Sequence, residues 1–435
     1  MIVTIDETHD AAAFSWVQSA NTLETDFPLQ NLPLGVFRTE ARVTPRIGVR
    51  IGDAVLDVHR LLDTDALELH APEDDALRQT TLNAWMALGR MSSTALRRKL
   101  FALLHSSTEG TARETVSNCL VPANACTMLL PSQIGDFTDF YTSIHHARRA
   151  GELVRPDSPI HPNFRSMPIA YHGRSSSVMV SGVPCRRPFG QTDATSGYRP
   201  TTKLDFELEV GFYVGENTGT TKRLSVDSAE DHLYGLCLVN DWSARDIQRW
   251  ESAPLGPFLA KSFMTSVSPW VVTAEAIAPF RVAEAIRGDD APPLAAQLTS
   301  ASHAALAAID ISLYVTLQSR QMKAAGIAAI DVANSDFKDQ YWSVSQMLTH
   351  HASNGCPLRS GDLISSGTVS GPERSDSGCL LERTRDARET IALPTGEVRT
   401  YLEDGDIVSF SGRCNRAGFR SIGFGECAAE VTDNL

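Results

Sequence analysis

The chain has 435 residues, 42% of them hydrophobic, and 52 acidic against 39 basic side chains give it a formal charge of -13. That length exceeds one ordinary core and predicts two domains. An acidic balance with no basic block or basic helix argues against nucleic acid and anionic membrane as partners.

The opening MIVTIDETHD has neither the basic nor the apolar region of a secretory signal, and no later run is apolar enough to span a bilayer, so a cytoplasmic protein is expected. Residues 46–58 predict a hairpin turning at Gly52-Asp53, and 75–105 a helical region with apolar residues at helical spacing. Residues 106–118 are polar and turn-rich, and an extended pattern restarts over 121–131. The expected division is therefore an N-terminal domain over 1–120 and a second domain over 121–435. Beyond it strand signals dominate: 177–180, 204–214, 234–239, the alternating 309–317, and 400–412 with a turn at Asp404-Gly405. Residues 279–302, rich in Ala, Pro and Asp, predict a surface excursion between two strands. Eight cysteines scattered from Cys119 to Cys427, without a C-x-x-C pair, are expected as reduced, mostly structural thiols.

The stretch 204–214, LDFELEVGFYV, places apolar side chains at every even position and Glu207 and Glu209 on the odd face. This predicts one strand with a dry side and a carboxylate side. Residues two apart on a strand lie roughly 6.5 Å apart along one face, close enough for both carboxylates to reach one metal ion. Standing alone, the pair would more often be a merely solvated strand face. Further on, the apolar run 234–239 ends at Asn240-Asp241 and continues Trp242-Ser243-Ala244-Arg245-Asp246-Ile247-Gln248. It reads as a buried strand delivering an aspartate. If Asp241 starts a helix, Arg245 and Gln248 follow on its face at i+4 and i+7, although a plain N-cap with a surface partner has the same pattern.

Residues 135–146, GDFTDFYTSIHH, gather two carboxylates, aromatics and two imidazoles, a density that favours a site, although Asp139 or His146 alone would be unremarkable as a turn residue or a packed ring. Tyr171-His172-Gly173-Arg174-Ser175 reads as a tight polar loop leading into a strand. Pro254-Leu255-Gly256-Pro257-Phe258 stiffens the approach to Lys261. Residues 361–371, GDLISSGTVSG, form a strand running into a Gly-rich loop that reaches Glu382 through Ser377-Gly378. The loop matches no phosphate-binding fingerprint and suits closure over a substrate.

Taken in order, DFTDFYTSIHHA, YHGRSSS, LDFELEV, NDWSARDIQRWE, PLGPFLAKSF, THHASNGC and SGTVSGP closely resemble the fumarylacetoacetase family over nearly the whole chain. The resemblance implies an α+β, mainly β protein: a small N-terminal SH3-like β-barrel domain with helices, then a β-roll catalytic domain. It implies Asp139, Glu207, Glu209 and Asp241 as metal ligands, His146 as general base and Glu382 as its orienting partner. Independently, four carboxylates without imidazole or thiolate make a hard oxygen site suited to Mg²⁺ or Ca²⁺ rather than Zn²⁺. Lys261 and Thr265 match positions that the family associates with a magnesium ion near Asp241. Arg245, Gln248 and Lys261 match positions that meet the substrate and its oxyanion, and Tyr141, Arg155, Tyr171 and Thr368 match further substrate contacts.

The implied reaction is hydrolysis of a carbon-carbon bond in a diketo acid, giving fumarate and acetoacetate, the last step of tyrosine and phenylalanine breakdown, in a homodimer. Two positions depart from the pattern. Ser252 stands where a substrate-touching tyrosine is usual, and Met264 where a small residue is usual, which puts the tail of the pocket in question. An acylpyruvate hydrolase or decarboxylase on the same fold is the neighbouring expectation, and a catalytically silent metal-binding scaffold the more distant one.

Overall fold

The computed structural model describes residues 4–219, 223–288 and 291–433. Alternation along the 204–214 stretch organises the molecule. Leu208, Val210, Phe212 and Val214 point into the main core, whereas Tyr213 packs with Cys237 and Val239 beneath the N-terminal part of the chain. Each face of this strand meets a different body of protein.

The N-terminal part is a five-stranded antiparallel sheet flanked by helices. The expected hairpin is present as Arg42–Ile51 and Ala54–Asp57. The helical region is three helices, Ala71–Leu77, Asn83–Met86 and Gly89–Leu104. The polar segment 106–118 contains a further helix, Gly110–Ser117, which buries Val116 against the same core; one apolar anchor gave too little periodicity to announce it. Leu120–Pro122 and Thr127–Leu129 form the two edges of this sheet, so its pairing continues past residue 120.

The rest of the chain builds two sheets. Across the eight-stranded sheet run Ile169–His172, Phe137–Tyr141, Leu363–Ser365, Leu208–Val214, Leu233–Asn240, Thr265–Val267 and Val178–Val180, with Val272–Thr273 paired to Leu233–Asn240 off that path. A five-stranded sheet contains Ile330–Asp336, Ser312–Gln318, Ile407–Cys414, Ile422–Thr432 and Cys185–Arg186. Phe206, Phe212, Phe410 and Phe424 fill the core with aliphatic neighbours from both sheets, and Phe206 meets Phe410 edge-on at 5.8 Å. The mixed, mainly β architecture is as expected. Positions 289 and 290 of the 279–302 excursion lie outside the described residues.

Two local expectations are corrected. The 204–214 stretch is not one strand: Leu204–Asp205 pairs with Ser243–Ala244, Leu208–Val214 pairs with Leu233–Asn240, and Phe206-Glu207 is the break between them. The change of partner ends the ladder, and the Glu207 amide donates to the Asn240 side-chain Oδ1 at 3.1 Å instead. Asp241 does not start a helix. Ser243–Ala244 is extended, and the helix begins at Arg245 and runs to Glu251, leaving Arg245 and Gln248 on one face three residues apart.

Gly367 is a tightly packed turn beside the site. Its φ is +74°, and a Cβ there would lie 2.0 Å from the Phe140 carbonyl oxygen. Gly182, at φ +94°, has nothing within 4 Å of its would-be Cβ. Gly367→Ala is therefore expected to destabilise by about 2–4 kcal/mol and Gly182→Ala by about 1–2 kcal/mol, since only the former adds a backbone collision to left-handed strain. Denaturant midpoints of the two variants check this, and equal losses would contradict it.

Candidate metal and acid-base site

Sheet register assembles the site. Asp139 pairs with Tyr171 on one side and Ser365 on the other. Glu209 lies on the strand beyond Ser365, Asp241 directly follows the next strand, and Thr265 opens the one after that. Side chains scattered over more than a hundred positions thus share one end of one sheet. Asp139, Glu207, Glu209 and Asp241 are all buried, and one oxygen from each lies within 4.8 Å of the other three. All four predicted ligands converge.

Their electrostatics are unequal. Lys261 Nζ is 2.7 Å from Asp241 Oδ2, 3.1 Å from the Asp241 carbonyl oxygen, and also bonded to Glu207. Arg245 Nη1 is 2.8 Å from the other Glu207 oxygen. Burial alone would raise the Glu207 pKa, but Lys261 and Arg245 outweigh it and hold the carboxyl at about 2. Asp241 further accepts from Thr265 Oγ1 at 2.7 Å and from the Tyr171 hydroxyl at 2.9 Å. Asp139 and Glu209 lack such cations. Desolvation, then the neighbouring carboxylates, pushes both well above the ordinary carboxylate range. Asp139 Oδ1 and Glu209 Oε1 are buried without a hydrogen-bond partner among the described residues.

Unpartnered buried carboxylate oxygens are expensive in a folded protein. A divalent cation satisfies both at once, and an all-oxygen donor set suits a hard ion. The residues present therefore fit a metal.

Beside this cluster stands a buried histidine-carboxylate pair. Ser143 caps the helix Ile144–Val154 by accepting from the His146 amide at 3.2 Å, which places His146 in the first turn. His146 Nδ1 is 2.6 Å from Glu382 Oε1. Ser370 Oγ donates to the same Glu382 oxygen at 2.7 Å, and Arg149 Nη1 to Oε2 at 3.1 Å. Against the upward push of burial, His146 and these donors bring the Glu382 pKa to about 2. An ionised Glu382 accepts the Nδ1 proton and leaves the lone pair of His146 on Nε2.

Asp139, Glu207, Glu209 and His146 open on one cavity of about 480 Å³, also lined by Tyr141, Arg155, Tyr171, Gln248, Lys261 and Thr368, while Asp241 and Glu382 do not line it. A separate cleft on the N-terminal sheet, about 580 Å³, has arginines and Asp57 on its walls but no such pair. The Tyr141 ring meets His146 edge-on at 5.2 Å. Arg155 stands exposed at the end of the His146 helix, bonded to His161 and to the Pro159 carbonyl. Of the two departures, Ser252 lines the cavity, whereas Met264 is packed in the main core and does not.

With that geometry in hand, comparison with known proteins is decisive. The profile described as fumarylacetoacetate (FAA) hydrolase C-terminal matches residues 137–432, and that of fumarylacetoacetase N-terminal matches 30–131. The chain belongs to the fumarylacetoacetate hydrolase family. It is 45% identical to the fumarylacetoacetase of Caenorhabditis elegans over 424 residues, covering 94% of this chain and 96% of that one. With the human fumarylacetoacetase it shares 42% identity over 419 residues, covering 95% and 97%. The fumarylacetoacetate hydrolase of the psychrophile Exiguobacterium antarcticum superposes with a TM-score of 0.50 at 16% identity, covering 93% of this chain and 100% of that one, a likeness of fold.

Sequence reasoning missed three residues of this family site. Ser365 donates to Glu209, Ser370 to Glu382, and Asp205 holds Arg245 Nε at 2.8 Å while accepting from the Leu380 and Leu381 amides at 2.7 and 2.9 Å. Asp205 was legible as a third odd-position acid beside Glu207 and Glu209. The serines sit in the Gly-rich stretch 361–371, where nothing in their type distinguishes them.

Asp139 and Glu209 take up protons more readily than ordinary carboxylates, so protons compete with the cation and affinity should fall as pH falls. Calorimetric titration of stripped protein with Mg²⁺ or Ca²⁺ is expected to show weaker binding at pH 5.5 than at pH 8, releasing about one proton or more per ion at the lower pH. Asp139→Asn should raise the melting temperature of the stripped protein and abolish its rise on adding cation. A pH-independent affinity, or a cation-induced rise surviving in Asp139→Asn, would contradict the assignment.

Proposed function

We propose that this protein is a fumarylacetoacetase, hydrolysing the carbon-carbon bond of a fumaroyl-acetoacetate diketo acid to fumarate and acetoacetate in the breakdown of tyrosine and phenylalanine. One observation carries the reading. Three members of a buried carboxylate quartet with unsatisfied oxygens, Asp139, Glu207 and Glu209, line the same cavity as His146, whose Nδ1 is 2.6 Å from Glu382.

Asp139, Glu207, Glu209 and Asp241 would hold Mg²⁺ or Ca²⁺. When bound, the ion supplies Lewis acidity toward the diketone oxygens, easing the charge that develops when the bond breaks. His146 Nε2 takes a proton from water as the oxygen attacks the carbonyl carbon of the fumaroyl group, and Glu382 steadies the imidazolium. Arg245 offers Nη2, buried and without a partner among the described residues, and Gln248, whose Oε1 accepts from Arg245 at 3.2 Å, keeps its amide nitrogen for the substrate. These are the donors we assign to the oxyanion. The carbon-carbon bond then breaks with its electron pair passing to the acetoacetate carbon, and His146 returns its proton there.

Lys261 takes a different place from the one expected. Its ammonium already has three acceptors, and Asp241 and Glu207 raise its pKa above the ordinary lysine value against the opposing effect of burial. We read Lys261 and Thr265 as braces that fix Glu207 and Asp241, with Lys261 neither a ligand nor a free oxyanion donor. Tyr141, Tyr171 and Thr368 would wall the substrate, and Arg155 at the rim suits a terminal carboxylate through its planar fork.

We draw the domain boundary after Leu129 rather than near residue 120, following the pairing of the N-terminal sheet. A cytoplasmic homodimer is also our inference. Eight unpaired cysteines fit a reducing compartment, no helix among the described residues is long and apolar enough to cross a membrane, and exposed Trp250, Leu255 and Phe258 fit burial against a second copy.

Hydrolysis is favoured over decarboxylation because a base held ready for water is superfluous when no water attacks. The test follows the ultraviolet absorbance of fumarylacetoacetate and of a simple acylpyruvate with chelator-treated and metal-resupplied protein. Turnover is expected to vanish with chelator, return with Mg²⁺ or Ca²⁺ and favour fumarylacetoacetate, and His146→Ala should lower kcat by about 10²–10⁴. Preference for the acylpyruvate would move the assignment to the sister activity and implicate Ser252, and inertness toward both would leave the scaffold reading.

A further inference from the structure

Arg149 lies on the same helix as His146, three residues on and on the same face. Its Nη1 is 3.1 Å from Glu382 Oε2. Its Nη2 lies 2.7 Å from each of the carbonyl oxygens of Gly371, Pro372 and Glu373. Glu382 has no exposed side-chain surface and Arg149 only 16%, so the contact is largely shielded from water, and removing one partner leaves the other charge buried and uncompensated.

Those three carbonyls begin the loop between cavity-lining Thr368 and Glu382. One guanidinium therefore ties together the helix that carries the base, the carboxylate that orients it, and the loop that follows a substrate wall. Ser370 Oγ fastens the same loop, donating to Glu382 Oε1 while accepting from the Gly378 amide at 3.0 Å. Glu382 Oε1 faces His146 and Oε2 faces Arg149. The carboxylate is gripped from both sides, and rotation about its terminal bond would break both contacts.

We propose that Arg149 is a positioning residue for the hydrolysis, locking the Glu382 carboxylate and the Gly371–Glu373 backbone as one unit so that His146 presents Nε2 to water. The proposal rests on the functional reading above for its catalytic consequence, while its structural content stands on the contacts alone. A group acting through Glu382 changes turnover more than substrate affinity. Lysine keeps the charge but cannot span a carboxylate and three carbonyls with one planar fork, so it restores only part of the effect.

The test measures kcat and KM for wild type, Arg149→Gln, Arg149→Lys, Glu382→Gln and the Arg149→Gln/Glu382→Gln double variant, all metal-loaded, together with the low-field proton resonance of the His146 Nδ1 hydrogen bond. Arg149→Gln is expected to lower kcat about 10–100-fold, as loss of groups that orient a functional side chain does, with KM within about threefold and Arg149→Lys intermediate. In the Glu382→Gln background the same change should cost less than about threefold, because its target is already gone. The low-field resonance should shift or broaden in Arg149→Gln. Unchanged kcat, a loss confined to KM, full additivity with Glu382→Gln, or an unaltered resonance would each overturn the proposal. If wild type turned over nothing, the functional reading would fall, and the resonance would still decide whether Arg149 holds Glu382.

Discussion

The structure is arranged around a repulsion. Four buried carboxylates brought within 4.8 Å of one another oppose one another and folding itself. Lys261 and Arg245 relieve Glu207, and Lys261, Thr265 and Tyr171 relieve Asp241. Asp139 and Glu209 carry what is left, with raised pKa values and oxygens that nothing in the described protein satisfies. A divalent cation is the charge that completes the set. Sites that oppose stability in this way are where a fold concentrates its function.

Holding such a site requires a stiff frame, and the sheets supply it. Glu209 sits on a strand buried on both faces, with the main core under Leu208, Val210 and Phe212 and the N-terminal core over Tyr213. The N-terminal part lines none of the main cavity. Its contribution is to cover the far end of the strand, and it is fastened by Ser93 and Thr94 on Glu275 and by the Asn31 side-chain amide on the Gly423 carbonyl. The acid-base pair has its own support in the helix cap at Ser143, the Asp205 grip on the Glu382 helix, and Arg149.

Much of this was legible in residue order. The odd-position acids, the strand ending at Asp241 and the dense 135–146 segment pointed to elements that do converge, because alternation and chain reversal are local rules. Local rules also failed where partners change. Nothing local marks Phe206-Glu207 as the place where one strand hands over to another, or moves the helix start from Asp241 to Arg245. Lys261 matches family positions near a magnesium ion and the substrate, and only the fold shows its ammonium engaged by Glu207 and by two oxygens of Asp241. Arg149 and Ser370 are ordinary residues in sequence. Their roles depend on neighbours more than two hundred positions away for the one and twelve for the other.

The central claim is that the unsatisfied oxygens of Asp139 and Glu209 are the seat of a cation that shares a cavity with His146. Crystals soaked in Mn²⁺ as an anomalous stand-in for the hard divalent ion test it most directly. The account predicts one anomalous peak bonded to Asp139 Oδ1 and Glu209 Oε1 together with oxygens of Glu207 and Asp241. A peak elsewhere, or a quartet that stays empty while the ion occupies other sites, would contradict it.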